Sequence, residues 1–181
     1  IEEGYAPALE VALSDILALK SYLGNPYIST QHGVKGESHD TVLFVAENST
    51  RNPVVNMSKF FDLWSKVDVV LGAFDDFYYA YLKMIKSVEN ECDIKISEMK
   101  ANDYKQNETF ILQKISEFRN IYHDNNYYKV LLKETFEAYF AKNNKKNAYE
   151  CLKEGAVYGV LAAYRLFYVG CSRARKNLAI I

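Results

Sequence analysis

Tyr27-Ile28-Ser29-Thr30-Gln31-His32-Gly33-Val34-Lys35-Gly36-Glu37 runs on through Ser38, His39 and Asp40 into Thr41-Val42-Leu43-Phe44-Val45-Ala46. Tyr27 to Thr30 is short, partly β-branched and follows Pro26, which reads as a strand entering a loop. Thr41 to Ala46 reads as a buried strand by its apolar run. Between them Thr30, His32, Lys35, Gly36 and Glu37 gather hydrogen-bonding groups around two glycines, which let backbone approach a ligand. Such a loop suits a phosphate or a nucleotide. An ordinary solvated loop could carry the same residues.

A second segment stands near the other end of the chain: Arg165-Leu166-Phe167-Tyr168-Val169-Gly170-Cys171-Ser172-Arg173-Ala174-Arg175. It closes an apolar helical stretch, sets two arginines after it, and leads into a short apolar strand from Leu178 to Ile181. In this order the two segments resemble motifs V and VI of superfamily 1 DNA helicases of the UvrD/Rep type. Those motifs read T-x-H-x-x-K-G-x-E before an apolar strand and, later, R-L-x-Y-V-A-x-T-R-A. The chain departs from them in places. Glu37 follows Gly36 directly, so Ser38 stands where the glutamate of Lys-Gly-Leu-Glu falls. Ala162 and Ala163 replace an acidic pair, and Ser172 replaces a threonine while keeping its hydroxyl. The Val-Lys-Gly-Glu spelling is similar to UvrD-like helicases that accompany OLD-family nucleases in prokaryotic phage defence.

The resemblance implies a role for each matching residue. Arg173 would be the catalytic arginine that reaches the γ-phosphate. A planar, permanently charged guanidinium suits the charge that phosphoryl transfer builds on equatorial oxygens. Apart from the motif, Arg173 reads as a surface arginine in a basic turn with Arg175 and Lys176. Glu37 and Gly36 would join Arg173 in binding ATP, with Glu37 accepting from ribose hydroxyls; the alternative is a solvated glutamate beside Lys35. Thr30 and His32 would contact single-stranded DNA phosphate, which positions a strand without reading its sequence. The alternative for His32 is a loop histidine bonded to a neighbouring carbonyl. Lys35, Tyr168 and Ser172 would support the site, with Tyr168 packing under the Arg173 turn, and His39 reads as packing.

The bulk composition bounds the rest. The chain has 181 residues, about one domain, with 49% hydrophobic residues and a net charge of −1. It lacks the basic body of an autonomous nucleic-acid binder, so any DNA contact must be local. Cys92, Cys151 and Cys171 are odd in number and far apart, which fits reduced thiols in a cytoplasmic protein. Neither they nor His32, His39 and His123 have the spacing of a metal site. No signal peptide and no membrane-spanning run is present. The chain begins at Ile1 and contains no G-x-x-x-x-G-K-[ST] loop, so it reads as a fragment of a longer protein. ATP and magnesium would be bound by that protein and not by the fragment alone.

Helical spacing of Leu9, Ala12, Leu13, Ile16, Leu19 and Leu23 predicts a first helix stopped by Gly24-Asn25-Pro26. Phe60, Leu63, Trp64, Val67, Leu71, Phe74, Tyr78, Tyr81 and Ile85 predict one long helix. Ile111, Ile115, Phe118 and Tyr122 predict another, and Tyr128, Leu132, Phe136 and Tyr139 a third. A last helix runs from about Ala148 into the Arg165 motif. Short β runs at both ends, joined through helices, predict an α/β fold. In it, residues 1–53 and 148–181 form a parallel sheet with flanking helices, which the resemblance implies is part of a RecA-like second lobe. Residues 54–147 form an all-helical insert that packs on itself and offers a surface for a protein partner. The resemblance implies the C-terminal part of an ATP-dependent, 3′-to-5′ DNA helicase or translocase, inactive on its own. Its alternative is a degenerate helicase lobe acting as an interaction module.

Overall fold

The computed structural model describes residues 12–24 and 36–181. The first helix, α1, spans Leu13–Gly24, and strand β1 spans His39–Phe44. The strand expected at Tyr27–Thr30 lies outside the described residues. Among the described residues seven helices follow: α2 Met57–Lys66, α3 Leu71–Cys92, α4 Ala101–Tyr122, α5 Asn126–Leu131, α6 Lys133–Ala141, α7 Lys145–Cys151 and α8 Gly155–Cys171. A single 3₁₀ turn, Ile96–Glu98, joins α3 to α4, and β2, Ala174–Ile180, comes last. The chain divides into two units, Ile1–His39 and Asp40–Ile181.

The expected RecA-like α/β domain is not what forms. Among the described residues helices make up most of the chain and the sheet has two strands, β1 beside β2. They run parallel. Ile181 donates to the Phe44 carbonyl at 3.0 Å and accepts from the Ala46 N–H at 2.7 Å, while Lys176 bonds Asp40 and Asn177 bonds Thr41 in the same register. The physical reason for the correction is where the apolar surface goes. Phe44 is the one strand residue in the buried core, whereas Leu43, Leu178 and Ile180 are exposed. Parallel sheets normally bury both faces, so this pair cannot organise a domain.

Helix-on-helix packing organises it instead. In the unit Asp40–Ile181, α2 packs on α8 and α5, α3 on α4 and α8, and α7 on α4 and α6. One buried cluster runs from Phe44 through Phe60, Phe74, Phe118 and Phe136 to Val160 and Phe167. Residues of the predicted insert and of the motif helix thus share one core. Phe167 of α8 meets Phe60, Phe61 and Trp64 of α2 at ring separations of 5.5, 5.4 and 5.2 Å, and meets Phe44 of β1 at 5.4 Å. Trp64, expected to be buried with the stripe, is 52% exposed and stacks on the buried Phe60 ring.

Two predicted helices break. The stripe from Phe60 to Ile85 splits into α2 and α3 because Val67 and Val70 are extended, at φ −135 ψ 138 and φ −101 ψ 122. Three of the four residues from Val67 to Val70 are β-branched, and such residues favour that geometry. Tyr127 holds the break: its hydroxyl accepts from the Val70 N–H and donates to the Val70 carbonyl, both at 3.2 Å. The third predicted helix splits at Leu132, φ −123 ψ −23. Buried tyrosines elsewhere satisfy backbone groups that helix ends leave open. The Tyr81 hydroxyl reaches the Cys151 carbonyl at 2.9 Å and the Lys153 carbonyl at 3.2 Å, bridging α7 to the start of α8.

The end of α3 is pinned by Glu89. Its carboxylate accepts from the Ile96 N–H at 3.0 Å and from Lys86 Nζ at 2.7 Å. Partial burial alone would raise this carboxyl, but those two hydrogen bonds outweigh it and hold it below its ordinary value of 4.5. A depressed carboxylate adds stability above its unfolded value and loses it as pH falls through its folded value. Glu89→Gln is therefore expected to cost stability at pH 7, at the low end of the roughly 1.5–3 kcal/mol of a charged hydrogen bond. It should also flatten the loss of stability below the ordinary carboxylate value. Urea midpoints at pH 7 and down to pH 3 check this. An acid limb identical to that of the parent chain contradicts it.

Candidate functional site

Helix α8 and the residues that follow it place the second motif-like segment. The helix is apolar almost all round, as suits a helix packed on both sides. Val157, Val160, Leu161, Ala163 and Phe167 are buried. Two polar ties fix it to α3. The Tyr78 hydroxyl donates to Glu154 at 2.6 Å, and Arg165 Nη2 pairs with Asp75 at 2.7 Å. Arg165 opens the motif-like segment, and its head group is therefore bound within the helical body.

At the other end of α8 the helix closes on itself. The Ser172 N–H donates to the Tyr168 carbonyl at 2.9 Å and its hydroxyl to the Val169 carbonyl at 3.2 Å. The Arg173 N–H donates to the Gly170 carbonyl at 3.4 Å. Arg173 is half-buried and has no ion-pair or hydrogen-bond partner for its guanidinium among the described residues. β2 begins one residue later. Tyr168 does not pack under the Arg173 turn. It is 63% exposed, and the buried ring at this end of the helix is Phe167.

Of the first motif-like segment, Thr30, His32 and Lys35 lie outside the described residues. Gly36 has φ +87, a left-handed backbone that favours glycine, and a Cβ added there would meet no atom of the described residues within 4 Å. Glu37 is exposed, with Oε2 4.0 Å from His39 Nε2. His39 is itself exposed at the start of β1 and does not pack as the sequence suggested.

Burial, with the Glu91 charge beside it, pushes the Cys92 thiol up. Burial pushes the Cys171 thiol up, and burial with the nearby Glu150 charge pushes Cys151 up to about 12. Among the described residues no group of three or more His, Cys, Asp or Glu could hold a metal ion. No helix there is long and apolar enough to cross a membrane. A broad polar cleft of about 980 Å³ opens beside Glu89, Asp93 and Lys95. It belongs to the helical body, and none of the residues singled out in the sequence lines it.

Sequence reading missed the Asp75–Arg165 and Tyr78–Glu154 ties. Each joins residues at least 76 positions apart, and no local pattern signals such a pair. Comparison of the chain with protein-family models, with curated proteins and with solved structures finds no match.

Proposed function

We propose that this chain is the part of an ATP-dependent DNA helicase or translocase that supplies an arginine finger, Arg173, and single-strand contacts at Thr30 and His32. One observation carries the reading. The strand that follows the Gly36-Glu37 loop and the strand that follows Arg173 are hydrogen-bonded neighbours running in the same direction. Two motif-like segments far apart in sequence therefore lead into one sheet. Arg173, whose guanidinium has no ion-pair or hydrogen-bond partner among the described residues, also suits a phosphate.

ATP would supply the phosphoryl group, and Arg173 would stabilise the charge that grows on it during transfer. Glu37 would accept from the ribose. The phosphate-cradling loop and the magnesium ligands would come from another part of the protein. DNA-stimulated ATP hydrolysis by a protein that joins both parts, with and without Arg173, tests the assignment.

A cleft of about 330 Å³ between α3 and α4 favours a second reading. Met84, Phe118 and Tyr122 line it, Lys83 and Lys114 flank it, and Ile121 beside them is 72% exposed. In that reading the helical segment binds a partner protein and the motif-like segments no longer act on nucleotide. Retention of hydrolysis in the Arg173 variant would favour it.

A further inference from the structure

Gly170 lies in the last turn of α8, three residues before Arg173, and the ring of Phe44 occupies the space where its side chain would be. A Cβ built on Gly170 would stand 2.4 Å from Phe44 Cδ2 and 2.6 Å from Cε2. The backbone at Gly170 is ordinary helix, so nothing in its φ calls for glycine. Only the approach of the ring does. The resembled motif carries alanine at this place, and the chain has a phenylalanine on the facing strand.

The Phe44 ring is wedged. It is 9% exposed, and Phe167 meets it edge-on at 87°. It stands on β1, near the hydrogen bonds that Phe44 and Ala46 make to Ile181. The Gly170 carbonyl in turn accepts from the Arg173 N–H. A rigid ring on one strand therefore sets the height of the helix turn from which Arg173 departs.

We propose that Phe44 and Gly170 are a fitted pair that positions Arg173, each residue acting through the arginine and neither touching nucleotide. The pair rests on the reading of Arg173 given above for its catalytic part and stands on packing alone for its structural part. The two parts are tested separately.

The structural test uses the chain itself, in a double-mutant cycle. In an open helix, Gly→Ala stabilises, since alanine is the better helix former. Here Gly170→Ala is expected to lower Tm by about 2–10 °C, because forced overpacking outweighs helix propensity. In a Phe44→Leu background the same change is expected to raise Tm. This inversion of sign is the signature of the pair. Equal effects of Gly170→Ala in both backgrounds overturn it. If Gly170→Ala alone proves insoluble, the double variant decides: a soluble, cooperatively melting double variant supports the pair, and an insoluble one overturns it.

The catalytic test uses the protein that hydrolyses ATP. A displaced finger should lower kcat by about 10–100-fold with KM for ATP nearly unchanged, since small misplacements near the chemistry cost that much. Adding Phe44→Leu should restore most of the loss. A raised KM with unchanged kcat, or a kcat loss that Phe44→Leu leaves in place, overturns the positioning role. If the parent protein shows no hydrolysis at all, the proposed function fails. The sign inversion in Tm then still decides whether the pair exists, and the positioning of Arg173 falls with the function.

Discussion

Arg173→Ala is expected to lower DNA-stimulated kcat on the order of 10³-fold, with ATP affinity close to that of the parent protein. The size follows from when the contact matters. Charge on the equatorial oxygens is greatest in the transition state, so a guanidinium aimed there strengthens as the reaction proceeds. The placement is compatible with that role. Arg173 is half-buried at the end of α8 with no competing partner among the described residues, so little has to be broken to free it. Lysine is not an adequate replacement, because a point charge lacks the planar fork that meets two oxygens at once. Arg173→Lys should therefore recover only a small part of the rate. Steady-state ATPase assays with saturating single-stranded DNA make the comparison. A variant with near-parental turnover removes Arg173 from the chemistry.

The second large effect lies in the core. Phe136→Ala should cost about 3–5 kcal/mol. Phe136 is fully buried, 5.2 Å from Tyr128 and 6.0 Å from Phe118 between ring centres. Those rings join α6, α5 and α4, and Tyr128 has a buried hydroxyl without a partner among the described residues. A cavity beside it would be lined by groups from three helices that cannot all move in. For a chain of this size the loss corresponds to a fall in Tm of roughly 6–20 °C. Thermal melting followed by circular dichroism measures it. A fall of only a degree or two would mean that the neighbouring helices close over the gap, and that the cluster is not rigid.

Elements with simple periodicity were legible in the sequence. The Leu13–Leu19 spacing marked α1, and Ile111 to Tyr122 marked the C-terminal half of α4. Asn125 caps α5 by accepting from the Tyr127 and Tyr128 N–H groups. The breaks were harder to read because the apolar stripe continues across them. Leu63, Val67, Leu71 and Phe74 keep helical spacing although residues 67–70 are extended, and only the cluster of valines betrays the interruption.

The fold class failed for a related reason. Apolar runs at both ends do form strands, but a strand's composition does not tell whether anything covers its faces. The mass of aromatic side chains lay in the helices, and it decided the core. The left-handed backbone at Gly36 suits the glycine there, a local requirement of the kind a sequence can mark. Tyr168 was misplaced because two adjacent rings, Phe167 and Tyr168, compete for one buried position, and the one aimed at α2 and β1 takes it. The partners of Arg165 and Gly170 come from α3 and β1, far away in sequence, and were invisible.

Residues 54–147 and the motif helix α8 share a single core. Removing 54–147 and joining the ends with a short Gly/Ser linker tests it most directly. The deletion would strip Phe60, Phe61 and Trp64 from Phe167, remove Tyr78 from Glu154, and leave the buried face of α8 open to water. Gel filtration and far-ultraviolet circular dichroism of the deleted chain are predicted to show an aggregated product without a cooperative melt. A soluble monomer with a stable mixed α/β spectrum would contradict the claim and would make the helices a separable insert.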